Sequence, residues 1–530
     1  MGVGAARCVR RLGAPVRLLA VAAVAALLGG FAGTPAAAAA DDPDLTSFYQ
    51  QKLSWEPCGK DLQDGARSDG TGQPPGFRKR LECARLEVPR DYRDPGQHRM
   101  QVQLIRLKAT GPGKRIGSLV LNPGGPGASG VNYLTDSGSA FARLGQRYDI
   151  VSFDPRGTGH TDPVSCGSKL APPSGKAADD SLAAKEKRIN EACGRYSGAL
   201  LRWVGTPDVA RDMDVLRAAV RDDKLNYLGF SYGTKLGAVY AHEFPHKVGR
   251  MVLDSVEDPT KNQWQTALSQ ARGFQRALDD FAADCTHQPD CPLGTDEHKA
   301  QDQLRAWYRE LSGQPMKAKG EMVDETTYVY ALREALYSKS DWPALRQALA
   351  QLRRGDASGV LRLSDAGSGS AARPARADSV PARRVGQDDL PSQDQLALRA
   401  ISCRDTSERY GERDYPRAER ELTEASPLFG PDIAPTLLDC HSWPVAGDDA
   451  SRDVAAPDAP SILLVATTND PATPYQGAFN MARELDNSSV VLTFRGEGHA
   501  AYTTGDPCVQ GQVDDFLLNG TLPKGKISCG

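Results

Sequence analysis

Residues 225–238 read LNYLGFSYGTKLGA, and the architecture of the chain can be inferred from this stretch. The apolar run Leu225–Leu228 is typical of a buried strand, and the residues from Thr234 onward have helical periodicity. Between them lies Gly229-x-Ser231-x-Gly233, whose glycines permit a sharp turn that exposes a serine hydroxyl. The motif alone is weak, because an inert serine in a glycine-rich connection has the same pattern. Its flanking elements favour a nucleophile elbow at the edge of a sheet.

Other short apolar runs, each bounded by turn residues, accompany this strand along the chain. They cover residues 86–88, 100–107, 117–121, 148–153, 249–253, 461–466 and 489–494. Their alternation with helical segments indicates the α/β class, a mostly parallel sheet with helices on both faces. From about 261 to 435 such strands are missing and amphipathic helices predominate. We therefore expect an α/β-hydrolase fold with a core at 41–260 and 436–530, interrupted by a helical cap insertion at 261–435; residues 364–395 suggest a mobile loop within it.

The first forty residues differ in composition from the rest of the chain. Four arginines precede an apolar run, Leu18–Leu28, and a tract of alanines, Ala36–Ala40, follows it. This order of a basic, an apolar and a small-residue segment predicts a secretory signal peptide at 1–40. The apolar run is shorter than the roughly 20 residues that span a bilayer, although a retained anchor is the alternative. We expect a secreted protein with no membrane association after signal removal.

Cysteine usage supports export. Cys8 lies in the leader, and the remaining ten are an even number, which predicts disulfides in a secreted chain. Pairing of sequence neighbours closes short loops and gives the bonds Cys58–Cys83, Cys166–Cys193, Cys285–Cys291, Cys403–Cys440 and Cys508–Cys529. A zinc site is the alternative, but the chain has no Cys-x-x-Cys motif and its eight histidines are scattered, so we expect no metal. The net charge of −3 argues against a nucleic-acid partner.

A serine hydroxyl needs a base to become a nucleophile, and this fold supplies it in the order serine, acid, histidine. Asp470 ends the apolar run 462–469, and His499 follows the run 490–494 after a glycine-rich turn. Both positions lie just past the ends of strands, where open α/β sheets bind ligands. We predict that Asp470 orients the imidazole and that His499 acts as base and then as acid. A turn-forming role for Asp470 and an exposed loop histidine are the alternatives, and Glu497 is the rival acid.

Residues 121–130, LNPGGPGASG, come directly after a strand. Glycines there allow backbone N–H groups to point into a site without obstruction by side chains. An oxyanion hole in this fold takes one N–H from the residue after the nucleophile and another from this loop. The predicted donors are Tyr232 and Gly125, with Gly124 as the second choice in the loop. A phosphate-binding loop would end in Gly-Lys-Ser/Thr, which is missing here, and we expect no cofactor.

Several motifs taken together resemble those of secreted tripeptidyl aminopeptidases and their prolyl-aminopeptidase relatives. They are NPGGPG at 122–127, DPRGTG at 154–159, GFSYGT at 229–234, DPATP at 470–474 and GEGH at 496–499. The resemblance runs from about residue 81 to 529 and is weakest in the insertion. It implies a serine peptidase that needs no cofactor and removes tripeptides or single residues from free amino termini. Asn122 stands where the proline-specific relatives commonly have histidine, which argues against a narrow proline preference.

An exopeptidase must recognise the ammonium group of its peptide substrate, and a carboxylate does this well. Glu257 and Asp258, which come after an apolar strand, and Asp405, which comes after Cys403, are the candidates. Each could equally be an ordinary surface acid. Two other functions stay open. The triad alone does not separate a peptidase from a secreted esterase or lipase, and a non-catalytic binding protein could use the same fold, although we would expect it to have lost a triad member.

Overall fold

The computed structural model of the chain describes residues 43–59, 76–170, 181–367, 390–525 and 527–530. These residues belong to one compact unit, Pro43–Gly530. The predicted signal peptide at 1–40 and most of the predicted mobile loop at 364–395 lie outside the described residues.

The core is a ten-stranded sheet in the order β1-β2-β3-β5-β4-β6-β7-β10-β11-β12, and a separate hairpin pairs β8 with β9. The strands are β1 (Glu56–Pro57), β2 (Leu81–Pro89), β3 (Arg99–Leu107), β4 (Gly117–Asn122), β5 (Tyr148–Phe153), β6 (Leu225–Phe230), β7 (Val248–Asp254), β8 (Met316–Ala318), β9 (Glu321–Val323), β10 (Leu463–Asn469), β11 (Val490–Glu497) and β12 (Ile527–Cys529). Every pairing from β5 to β12 is parallel, whereas β1, β2 and β3 are antiparallel to their neighbours. The predicted α/β-hydrolase fold is confirmed.

Helices cover both faces of the sheet and build the cap. They are α1 (Thr46–Tyr49), α2 (Gly130–Ser137), α3 (Leu182–Ser197), α4 (Thr206–Ala219), α5 (Tyr232–Glu243), α6 (Gln263–Thr286), α7 (Glu297–Gly313), α8 (Glu325–Leu336), α9 (Trp342–Leu352), α10 (Ser358–Gly367), α11 (Gln393–Arg404), α12 (Tyr415–Ala425), α13 (Gly430–Ile433), α14 (Gln476–Glu484) and α15 (Pro507–Asn519). In the part of the chain that the structure describes, no helix combines the length and apolar character needed to cross a bilayer.

Hydrophobic side chains form one core on each face of the sheet and a third inside the cap. Alternate residues of a strand point to opposite faces, so Val120 packs into one core while Leu119 and Leu121 pack into the other. The cap core draws on helices α6 to α9 and α12, and it includes Ala472 from the loop after β10. The loop that carries Asp470 therefore packs against the cap.

The insertion differs in two ways from the predicted run of cap helices. It contains the β8–β9 hairpin, and helix α11 packs with the core of the sheet through Leu396, Ala400 and Ile401. A Cβ atom on Gly127 would lie 2.8 Å from the backbone nitrogen of Leu398, so α11 also supports the glycine-rich loop after β4.

The predicted start of helix α4 needs correction. Its N-cap residue is Gly205, and Thr206 lies inside the helix, although Thr206-Pro207-Asp208, a hydroxyl residue followed by Pro and an acid, predicts Thr206 as the cap. The carboxylate of Asp405 accepts the N–H of Thr206 at 2.8 Å instead. A capping group 199 residues away cannot be seen in the local pattern.

All five predicted disulfides are present with the predicted partners. Short sequence separations made this pairing the simplest one, since each bond closes a loop of 6 to 37 residues. Five such bonds indicate a protein that folds in an oxidising compartment.

Candidate active site

Ser231 lies in a nucleophile elbow between β6 and α5. Its backbone angles, φ 55° and ψ −124°, are the strained ones that project a side chain out of a strand-to-helix turn. A Cβ atom on Gly229 would lie 2.5 Å from the carbonyl oxygen of Gly233, and one on Gly233 would lie 2.8 Å from Oδ1 of Asn122. Both contacts are too close, so the turn requires glycine on either side of the serine.

Asp470 and His499, the predicted acid and base, lie within hydrogen-bonding distance of each other. Nδ1 of His499 lies 2.9 Å from each carboxylate oxygen of Asp470, and both side chains are buried. Glu497, the rival acid, accepts instead from Nδ2 of Asn469 at 2.6 Å. Asp470 is thus placed to hold the imidazole with Nε2 available for proton transfer.

Thr473 belongs to this group, although the sequence analysis did not single it out. Its backbone N–H and its hydroxyl each donate to Asp470, both at 2.9 Å, and its hydroxyl oxygen lies 3.3 Å from Nδ1 of His499. The N–H of Ala472 also donates to Asp470, at 3.0 Å. An aspartate followed by Pro and, three residues on, Thr is a turn that folds back onto its own carboxylate. The turn and the pairing with His499 are therefore not alternatives, because the turn aims the acid at the histidine.

Asp254, at the end of β7, connects the nucleophile with the histidine loop. Its carboxylate accepts the N–H groups of Ala501 at 3.1 Å and Tyr502 at 2.8 Å, and its backbone oxygen accepts the N–H of Ser231 at 3.0 Å. Burial raises the pKa of the Asp254 carboxyl to about 7, and the two backbone N–H groups oppose that rise. Asp254 therefore fixes the position of the loop after His499 relative to the elbow that carries Ser231.

The histidine loop is also held from both the core and the cap. On the core side, the N–H of Ala500 donates to Oγ of Ser255 at 2.6 Å. On the cap side, the N–H of His499 donates to the carbonyl oxygen of Tyr337 at 2.8 Å, and the two rings meet edge to face with centroids 5.5 Å apart. The cap thus contacts the imidazole directly and contributes to its position.

The glycine-rich loop after β4 lies against the elbow. A Cβ atom on Gly124 would lie 2.9 Å from Cβ of Ser231 and 3.3 Å from the nitrogen of Tyr232. The N–H of Gly124 is already used, because it donates to Oδ1 of Asn122 at 2.9 Å. Because the N–H of Gly124 is already hydrogen-bonded, Gly125, which lines the same cavity as Ser231, is the better placed oxyanion donor of the two glycines.

Asp154, from the DPRGTG motif, holds this loop from behind. Its buried carboxylate accepts from the hydroxyl of Ser129 at 2.6 Å and from the backbone N–H groups of Val131 at 3.0 Å and His160 at 2.7 Å. Asp154 therefore positions the glycine-rich loop.

Ser231 opens into a cavity of about 230 Å³, called the serine cavity here, which lies between the core and the cap. A second space of about 180 Å³ shares lining residues with it, among them Pro126, Glu257 and Gln263. Together they provide a pocket of the size that takes a small ligand.

The three predicted amine-binding acids lie around these spaces in different states. Glu257 lines both, its side chain is 30% exposed, and it lies 3.7 Å from Nζ of Lys235. Asp258 lines the serine cavity, but its carboxylate accepts from Thr260 and from Nδ2 of Asn480. Asp405 is buried and caps helix α4. Glu257 is thus the candidate whose geometry leaves it accessible.

Two further acids line the serine cavity that sequence reasoning missed. Asp432 pairs with Arg333 at 2.9 Å, and Asp439 pairs with Arg399 at 2.6 Å. Burial raises the pKa of the Asp439 carboxyl above its ordinary value, and Arg399 opposes the rise. Both acids come from the segment after α12, where no local pattern distinguishes them from surface residues.

The chain is similar to several known proteins. A family model described as TAP-like protein matches residues 426–529, the part that carries Asp470 and His499. Serine protease Hip1 of Mycobacterium tuberculosis is 33% identical over 501 residues, covering 90% of this chain and 91% of that protein. Carboxylesterase B of the same species is 33% identical over 532 residues, with 95% and 96% covered. Tripeptidyl aminopeptidase of Streptomyces lividans is 29% identical over 497 residues, with 90% and 86% covered.

Identity at this level over nine-tenths of both chains extends through the core and the cap alike. The chain is therefore a serine hydrolase, and it belongs to the tripeptidyl aminopeptidase-like family of α/β-hydrolase serine peptidases.

Proposed function

We propose that this protein is a secreted serine exopeptidase that releases short peptides, and most specifically tripeptides, from free amino termini. The observation that carries the proposal is the hydrogen-bonded pair Asp470–His499 together with a strained Ser231 that opens into a small cavity bordered by acids. A small cavity limits how much chain can enter on the acyl side, and a carboxylate within it suits an ammonium group.

In the first half of the reaction, Oγ of Ser231 attacks the carbonyl carbon of the scissile peptide bond. His499 takes the hydroxyl proton at Nε2, while Asp470 stabilises the imidazolium through Nδ1–H. The N–H groups of Gly125 and Tyr232 donate to the oxyanion of the tetrahedral intermediate. The C–N bond then breaks, and the proton on Nε2 goes to the leaving amine.

In the second half, a water molecule attacks the acyl-enzyme carbonyl, and His499 takes one of its protons. Collapse of the second intermediate returns the proton to Oγ of Ser231 and releases the short peptide with a free carboxylate. One water is consumed for each bond cleaved, and no cofactor enters the balance.

Glu257 is the proposed amine-binding residue. It comes after the strand that ends beside Ser231, and its N–H donates to Oγ1 of Thr234 at 2.9 Å, whose hydroxyl donates in turn to the carbonyl oxygen of Ser231 at 2.6 Å. This chain of contacts keeps the residue near the nucleophile. A carboxylate in the same pocket as the nucleophile would hold the substrate ammonium group at a fixed position relative to Ser231.

Export is part of the proposal. The predicted leader at 1–40 and the five disulfides suit a protein that works outside the cytoplasm.

Ester hydrolysis is the second candidate, because a relative named carboxylesterase B is 33% identical to this chain, as serine protease Hip1 is. The same elbow, pair and oxyanion donors would serve an ester, whose leaving alcohol is easier to expel than an amine. The acids around the serine cavity favour the peptidase, since a neutral ester has no group for them to bind.

The test compares a tripeptide nitroanilide with a free amine, the same compound with an acetylated amine, and a nitrophenyl ester of an acyl group without an amine. An exopeptidase cleaves the first, with kcat/KM reduced at least 100-fold on acetylation, and Ser231→Ala removes the activity. Glu257→Gln should raise KM for the free amine by about tenfold, the worth of roughly 1.4 kcal/mol. Glu321→Gln, an exposed acid of the cap hairpin, is the matched control. Equal rates on the free and acetylated amines would contradict the proposal and favour the esterase.

A further inference from the structure

A larger cavity, of about 810 Å³, lies on the other side of the candidate triad and has no role in the proposed catalytic cycle. It is lined by His499, by Tyr337 and Ser340 of the cap, and by Asn469, Arg495 and Thr504 of the core. Ser231 lines the serine cavity and not this one. We call this space the His499 groove.

The loop after β10 runs from one cavity to the other. Thr468 and Asn469, at its start, line the His499 groove, and Ala472, Thr473 and Pro474, at its end, line the serine cavity. Asp470, between the two sets, holds the imidazole. The loop that carries Asp470 therefore contributes residues to both spaces.

The chemistry of amide cleavage gives the two sides different occupants. The acyl part of the substrate must remain beside Ser231 and the oxyanion donors. The leaving nitrogen must come within about 2.6–3.2 Å of the proton on Nε2 of His499. A long leaving chain cannot share the serine cavity, because that cavity and its neighbour measure only about 230 and 180 Å³.

We propose that the His499 groove binds the leaving portion of a peptide substrate, the residues on the carboxyl side of the scissile bond. This inference rests on the proposed exopeptidase function and adds to it a binding site for the retained part of the polypeptide. The position of the triad then separates a short acyl product on one side from a polypeptide of any length on the other.

The lining of the groove suits a peptide of varied sequence. Ser340, Asn469 and Thr504 offer hydroxyl and amide groups that can hydrogen-bond to the peptide backbone without selecting side chains. The charged residues of the lining are the cations Lys339 and Arg495, which are exposed, and the acids Glu497 and Asp506. The two cations can attract the carboxylate at the end of a short leaving peptide. One wall belongs to the cap and the other to the core, so cap position sets the width of the groove.

The test uses substrates that share three amino-terminal residues and differ in the leaving group: a nitroaniline, or a peptide of one, three or six residues. Ser340→Trp, on the exposed cap wall, narrows the groove. We expect kcat/KM for the longest substrate, divided by that for the nitroanilide, to fall at least tenfold relative to the wild type, with the loss growing with leaving-chain length. Arg495→Trp, on the core wall, should act in the same direction, and it serves if the first variant does not fold.

Met322→Trp is the matched control, because Met322 is an exposed apolar residue of the cap hairpin. It should leave the ratio unchanged. An unchanged ratio in both folded groove variants overturns the proposal while leaving the exopeptidase function intact. A wild type that does not cleave the nitroanilide, or a Ser231→Ala variant that does, removes the proposed function and with it this inference.

Discussion

Replacing the carboxylate of Asp254 by an amide, in Asp254→Asn, tests whether this residue positions the histidine loop. Both carboxylate oxygens face backbone N–H groups, those of Ala501 and Tyr502. An asparagine offers one oxygen and turns its NH₂ group towards the second N–H, so a buried donor faces a donor. An unsatisfied buried donor costs about 1–3 kcal/mol, and the loop avoids that cost by moving. Because roughly 1.4 kcal/mol of activation free energy corresponds to a tenfold change in rate, kcat should fall about 10- to 100-fold, with little change in KM.

The loss should depend on pH in a way that a general structural defect would not reproduce. Burial raises the pKa of the Asp254 carboxyl to about 7, and the titratable neighbours that act on it are His499 and Asp470. Below that pH the wild type carries a proton on the carboxyl, and its O–H faces a donor just as the amide does. The ratio of wild-type to variant kcat/KM should therefore be largest at pH 8 and approach one near pH 5.

The stability of the wild type relative to Asp254→Asn should fall as pH rises, whereas its relative activity should increase. The folded carboxyl holds its proton more tightly than the unfolded one, whose ordinary pKa is 3.8, so this group favours folding below about pH 4 and loses that contribution as pH rises to about 7. Asp254→Asn lacks this slope, and its melting temperature relative to wild type should rise across that window.

The assay is a pH series of kcat/KM from 5 to 8 on a free-amine tripeptide nitroanilide, with thermal melts at each pH. Asp149→Asn is the control, since Asp149 accepts a backbone N–H at 2.9 Å near the start of β5, at the opposite end of the parallel strands from Asp254. A ratio of wild-type to variant activity that is constant with pH would refute the positioning role, and so would an equal loss in the control.

Three other substitutions probe the same site. Asp470→Asn should lower kcat by about 10⁴ with the fold retained, because the amide favours the wrong tautomer of His499; kcat measurements beside a circular dichroism spectrum check this, and a loss below tenfold would contradict the assignment. Thr473→Val removes a hydroxyl that donates to Asp470 at 2.9 Å and should cost roughly tenfold in kcat, whereas Thr473→Ser should restore it. Gly273→Ala places a Cβ atom 2.3 Å from the carbonyl oxygen of Pro471, so it should push the cap from the acid's loop and lower kcat and stability together. Gly313→Ala, whose Cβ meets nothing within 4 Å, should leave kcat unchanged.

Much of the architecture can be predicted from local rules. The elbow can be predicted because only glycine fits at positions 229 and 233. The strands on either side of it are apolar on both faces, as a covered parallel sheet requires. The disulfides could be predicted from an even count and short spacings. Asp470 and His499 could be proposed because each comes after a strand, and carboxyl ends of parallel strands share one edge.

Contacts between distant segments lie outside such rules. Asp254 ends an apolar strand as many aspartates do, and nothing near it in sequence reveals that its oxygens meet N–H groups 247 and 248 residues later. Asp405 could be proposed as an amine ligand and is instead the cap of a helix 199 residues before it. The contact of Tyr337 with His499 likewise joins two segments, one in the cap and one in the core, that are far apart in the sequence.

The sequence alone determined the fold class and the cysteine pairing and predicted the nucleophile and its two partners, because local sterics and strand-end geometry constrain each of them. Only the tertiary structure decided which acids remain accessible, what holds the histidine loop, and which residues line the serine cavity and the His499 groove. Those features depend on which polar groups meet after long stretches of chain have packed, and a buried carboxylate takes its role from the donors that surround it.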